Sequence, residues 1–234
     1  MAFAASFPFP PARPRRSWRA RFRSTLLDLV TAARDRLVAW QADEYTTRGT
    51  EAVVGVIQPG ASWTIHGRYG QVLVSTTLPI WDIDIDGVHD IDDETIVERI
   101  RACLDASEET RALVARIRLR VYRTHGGVRI IGTTFVFNPA NERDWAWFQQ
   151  LGQVLGADPI YVRMCLRQRT FRARLDPKPS RLAASGLSEA RTCRLIADDL
   201  GGHADHPTSP WLLPQLQIHD IETQALHDHH LPLA

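Results

Sequence analysis

Apolar residues recur along this chain in two rhythms. Between residues 18 and 44, Phe22, Leu26, Val30, Ala33, Leu37 and Trp40 are spaced by three and four positions, which lines one helical face and predicts an amphipathic helix. The rhythm then changes. EAVVGVI (51–57), closed by Pro59-Gly60, and SWTIHGRYGQVLVSTTLPIWDIDID (62–86), punctuated by Gly67 and Gly70, are rich in β-branched residues and predict two or three strands. Helical spacing returns in ETIVERIRACLDA (94–106), with Ile96, Val97, Ile100, Cys103 and Leu104 on one face. In ALVARIRLRVYRT (112–124), Ile117, Leu119 and Val121 alternate with Arg116, Arg118 and Arg120, the period of a half-buried strand with its arginines on the solvated side. His125-Gly126-Gly127 turns that strand onto VRIIGTTFVF (128–137), a hairpin. ERDWAWFQQLGQVLG (142–156) predicts a helix stopped by Gly156. DPIYVRMCLRQRTFRARLDPKP (158–179) is apolar and basic by turns and strand-like at its end. Helices are predicted near 188–199 and 211–226, around a Gly/His/Pro loop at 201–210.

Strands clustered in mid-chain with helices at intervals predict an α+β fold: a largely antiparallel central sheet with helices on one face, an N-terminal amphipathic helix and a helical C-terminal tail. The organisation expected is a disordered basic arm (1–17), a core domain (18–180) and a helical C-terminal extension (181–234). The full length of 234 residues suits one ordinary domain with a substantial core.

Charge refines this picture. The net charge of +1 conceals an arm that holds Arg13, Arg15, Arg16, Arg19, Arg21 and Arg23 before the first acid, leaving a body of about −5. In the arm the charge follows the apolar residues and proline interrupts them, which disfavours a signal peptide; an organellar transit peptide is the alternative to a disordered arm. No apolar run reaches the roughly 18 to 20 residues of a membrane-spanning helix. Cys103, Cys165 and Cys193 are few, scattered and odd in number, which argues for a reducing, cytoplasmic setting and against a disulfide framework.

The densest chemistry lies in WDIDIDGVHDIDDE (81–94), where seven of fourteen residues are carboxylates. On a strand, Asp82, Asp84 and Asp86 share one face and Ile83 and Ile85 take the other. Carboxylates so aligned repel one another unless a cation sits among them, and such oxygen ligands select Mg²⁺, Mn²⁺ or Ca²⁺. The spacing D-x-D-x-D-G is also that of a calcium loop, with Asp90 and Asp93 at its ninth and twelfth positions. Against this, His89 stands where an apolar residue packs, Asp93 is shorter than the usual glutamate, and the incoming segment is β-rich and contains Pro79. The bland alternative is a solvated acidic turn, and Asp92, Asp93 and Glu94 have an ordinary reason to be acidic at the start of a helix.

Three motifs together resemble the archaeo-eukaryotic primase superfamily: DIDID (82–86) ending a strand, THGGVRII (124–131) in a hairpin, and ADPIYVRMCLRQRTFRARLDPK (157–178). The likeness covers about the middle hundred residues. It implies a bacterial metal-dependent nucleotidyltransferase acting on nucleotides or nucleic acid, as in DNA replication. Asp82, Asp84 and Asp158 would be the catalytic acids and, with Asp86, would hold Mg²⁺ or Mn²⁺, because a two-metal arrangement activates a hydroxyl and stabilises leaving pyrophosphate. Thr124, His125, Arg129, Arg167, Arg169, Arg172 and Lys178, the only lysine, would meet phosphates. The chain departs from the family where a histidine usually follows the glycines: here Arg129 stands, and His125 precedes them. A binding-only module, either nucleic-acid-binding or calcium-stabilised, is therefore the alternative.

Two other chemistries have weaker support. His203, His206, His219, His227, His229 and His230, with Cys165 or Cys193, suggest transition-metal ligation, but their spacing matches no zinc module. No G-x-S-x-G occurs and no cysteine has a recognisable histidine partner in sequence, so a nucleophilic enzyme is not indicated.

Overall fold

The computed structural model describes residues 52–67, 70–176, 193–202 and 206–223. The predicted N-terminal helix, the basic arm, Lys178, His203, His227, His229 and His230 lie outside them. The elements in order are β1 (Ala52–Gln58), β2 (Ser62–Gly67), β3 (Gly70–Ser75), β4 (Ile80–Asp84), a short 3₁₀ turn (Val88–Asp90), α1 (Asp93–Asp105), α2 (Glu108–Val114), β5 (Leu119–Thr124), β6 (Gly127–Gly132), α3 (Glu142–Leu155), α4 (Pro159–Gln168), β7 (Phe171–Arg174), β8 (Cys193–Leu200) and α5 (Leu213–Glu222).

The fold is α+β, and every strand pairing is antiparallel. The strands expected in one central sheet are divided between two sheets of four, ordered β1-β2-β3-β7 and β4-β6-β5-β8. The predicted hairpin is β5–β6, with Thr124 opposite Gly127. Three assignments change. The strand expected over 112–124 begins only at Leu119, and residues 112–114 belong to helix α2. The segment expected as a helix near 188–199 contains β8, which runs along β5. Its alternation is visible in the buried residues Cys193 and Leu195, but Leu195, Ile196 and Leu200 also imitate helical spacing. The first half of 158–179 is helix α4, capped by Asp158 with Pro159 in the first turn, a standard helix start.

The helix ends are locally encoded. Asp92, Ser107 and Asn141 cap α1, α2 and α3 through side-chain oxygens that accept backbone N–H bonds. Gly156, at φ 69°, ends α3 and turns the chain within two residues into α4. The core is aromatic where the elements converge. Trp81 on β4 stacks on Phe148 at 5.1 Å and donates its indole N–H to the Phe148 carbonyl at 3.1 Å. Phe171 on β7 packs against Phe137, Trp145 and Phe148. Burial of each such ring contributes roughly 4 to 6 kcal/mol before the entropy of ordering it is subtracted.

Helix α5 joins the sheets. Gln215 exchanges hydrogen bonds with Ser75, Thr77 and Gln58 around the first sheet. One turn later, His219 and Asp220 reach the second sheet. No described helix is long and apolar enough to cross a membrane.

Candidate acidic site at the end of strand β4

Strand pairing sets the site. On β4, Asp82 lies opposite Arg129 of β6, and Asp84 lies opposite Gly127. The period-2 expectation holds on this strand. Ile83 and Ile85 pack against the core and line an apolar cavity with Ile91, Ile96 and Ile100, while the aspartates take the other side. Strand β4 ends at Asp84, so Asp86 falls in the turn that follows and is exposed.

Asp158 arrives from a distant part of the sequence. Its backbone N–H donates to the Asp82 carbonyl at 2.8 Å, and its Oδ1 accepts from the Ile160 N–H at 2.9 Å. Burial, together with the negative charges of Asp84 and Asp82, pushes its carboxyl above the usual range, although the Ile160 and Tyr161 N–H groups pull the other way. Tyr161 and Cys165, on the next turns of α4, also lie in the field of Asp82. Burial and the neighbouring Cys165 hold the Tyr161 phenol well above its ordinary value, and burial pushes the Cys165 thiol up to about 12.

Arg129 is the surprise of the site. Only 4% exposed, it places Nε 2.8 Å from Asp82 Oδ1 and Nη2 3.4 Å from Oδ2. Its Nη1 donates to the Arg174 carbonyl of β7 at 3.0 Å, bridging the two sheets. Burial works against the charge, but Asp82 more than offsets that cost and holds the guanidinium above its ordinary pKa. Such an arginine neutralises Asp82 and is too enclosed to meet a phosphate itself. Behind it, Nη1 faces His219 Nε2 at 3.3 Å. His219 Nδ1 lies 2.9 Å from Asp220 Oδ1, which also accepts from the Tyr122 hydroxyl at 2.8 Å. Arg120 then links Asp220 to Asp198.

Cys193 of β8 borders this network. Burial opposes ionisation of its thiol, but His219 outweighs burial and draws the thiol below its usual range. Burial likewise disfavours a charged His219, yet Cys193 and Asp220 hold the imidazole above its ordinary value. The histidine partner that the sequence did not reveal for a cysteine is thus present, but with Cys193 at 3% and His219 at 0% exposure the pair cannot attack a substrate.

The other expected residues are distributed unevenly. Thr124 ends β5 opposite Gly127 and Cys193. His125, at the hairpin tip, packs its ring against His89 at 4.8 Å. Arg172 is on β7, and its charge opposes that of Asp82 at Cys165. Arg167 sits in the last turn of α4. Arg169 is turned away: it pairs with Glu142 and lies over the Trp145 ring. Arg118 and Arg120, expected to be solvated, are tied to Asp198.

The calcium loop is not formed. A strand, not a helix, enters it; Asp82 is engaged by Arg129, and Asp93 pairs with Arg123 and Arg194. Among the described residues, no group of three or more His, Cys, Asp or Glu side chains is set to hold a metal ion. The oxygen donors of Asp84 and Asp158 suit a hard cation, and Mg²⁺ commonly takes only one or two carboxylates and completes its shell with water and substrate phosphates. The chain matches no protein-family model, no curated protein and no solved structure.

Proposed function

We propose that this chain is a divalent-metal-dependent nucleotide- or nucleic-acid-binding protein resembling a primase-type nucleotidyltransferase. Asp84 and Asp158 hold Mg²⁺ or Mn²⁺ together with substrate phosphates, and Asp82 stands beside them. The supporting observation is the convergence of Asp158 on Asp82 and Asp84 across more than seventy residues of sequence, close enough for their charges to act on its carboxyl. Bound there, the cation would neutralise phosphate charge and polarise the oxygen under attack. A binding module without turnover is the second reading. It is favoured by the Asp82–Arg129 ion pair, which commits one of the three acids to an internal partner.

Titration of the full chain with a fluorescent nucleoside triphosphate, with Mn²⁺ and with EDTA, tests the proposal. Binding is expected to need the metal and to weaken at least tenfold in Asp84→Asn and in Asp158→Asn. Binding indifferent to metal and to both substitutions overturns it. Primer extension under the same conditions separates the two readings, because incorporation requires turnover.

A further inference from the structure

The network behind Arg129 is more than packing, because its members are ordered by what each atom can do. A guanidinium only donates, so a bond between Arg129 Nη1 and His219 Nε2 requires a free lone pair on Nε2. The ring proton must then be on Nδ1, which faces Asp220 Oδ1 at 2.9 Å. Asp220 is itself fixed by Tyr122 and Arg120, so the imidazole has no freedom to rotate away.

We propose that His219 is a positioning residue for the acidic site: through Arg129 it sets how firmly Asp82 is withheld from a cation. This rests on the cation-binding reading above for its consequence, but the coupling between His219 and Arg129 is measurable without any metal. It also gives α5 a role at a site whose acids all lie on other elements.

A matched pair of substitutions provides the test. In Gln the amide reaches the position of Nε2 and can accept from Arg129, whereas in Asn it reaches only that of Nδ1 and can bond Asp220 but not Arg129. The first readout is water exchange of the Arg129 Nε–H, followed by ¹⁵N NMR on the full chain, with thermal unfolding confirming that each variant is folded. Exchange is expected to quicken at least tenfold in His219→Asn and to stay near wild type in His219→Gln. The second readout is Mn²⁺ affinity: His219→Asn is expected to bind several-fold more tightly than wild type, and the gain is expected to disappear when Asp82→Asn is added. Equal exchange in His219→Asn and His219→Gln overturns the proposal. Exchange that follows the expected order while no variant binds Mn²⁺ supports the coupling and instead overturns the cation-binding function.

Discussion

Asp158 carries two duties on one carboxylate. Its Oδ1 caps α4 through the Ile160 N–H, while its charge is set against Asp84 and Asp82 in a half-buried position. Because the folded carboxyl titrates above its unfolded value of 3.8, ionisation is disfavoured in the fold. The penalty is absent below pH 3.8 and grows as pH rises through the higher folded value. Asparagine caps a helix as well as aspartate and carries no charge. Asp158→Asn is therefore expected to be more stable than wild type at pH 7, by less than about 1 kcal/mol once solvent screening is allowed for. The gain should vanish in acid. Denaturant titrations at pH 7 and pH 3.5 check this, and equal stability at pH 7 would show that burial and the neighbouring acids do not raise this carboxyl. The same variant is expected to lose metal-dependent nucleotide binding, so stability and function should move in opposite directions.

At the level of elements, the site depends on how closely β6 approaches β4. Gly127 lies opposite Asp84, and a Cβ there would run into the Ile83 carbonyl. Gly127→Ala is expected to cost about 2 to 3 kcal/mol and to weaken nucleotide binding at the same time, since the strands must part where Asp84 stands. Gly156→Ala is the control: its Cβ meets nothing within 4 Å, so only the left-handed backbone is penalised, by about 1 kcal/mol, with binding unchanged. Chemical denaturation with parallel binding curves distinguishes the two. These elements also mark how far the sequence could be followed. The alternation in 82–85 was legible because strand period is local, and so were the β5–β6 hairpin, the acidic start of α1 and the Gly156 stop of α3. The Asp82–Arg129 pair was not, since register between β4 and β6 is set by turns and packing far from either residue. Helix α4 was overlooked although Asp158-Pro159 is a cap followed by a first-turn proline. Strand β8 imitates a helix in sequence because its hydrophobic residues fit both periods.

For the molecule as a whole, the segment after residue 192 adds a second set of links between the two sheets, beside the Arg129–Arg174 bond. Strand β8 covers β5 and buries Cys193, Leu195 and Leu200, and α5 buries Leu216 between Gln215, bonded to the first sheet, and His219, bonded to the second. Without them, Tyr122 loses its acceptor, Arg120 loses both of its carboxylates, and β5 becomes an open edge. A buried charge stripped of its partner costs about 3 to 5 kcal/mol, a large part of the roughly 5 to 15 kcal/mol that separates a typical folded domain from its unfolded state. A chain ending at residue 180, the boundary that the loosening of the sequence suggests, is therefore expected to lack a cooperative unfolding transition. Substitutions that keep β8 and α5 but cut single links are expected to lower the transition without abolishing it: Tyr122→Phe, which removes only the hydroxyl bonded to Asp220, by about 1 to 3 kcal/mol. Calorimetry separates these outcomes. A truncated chain that melted cooperatively near the wild-type temperature would show that β8 and α5 are an appendage.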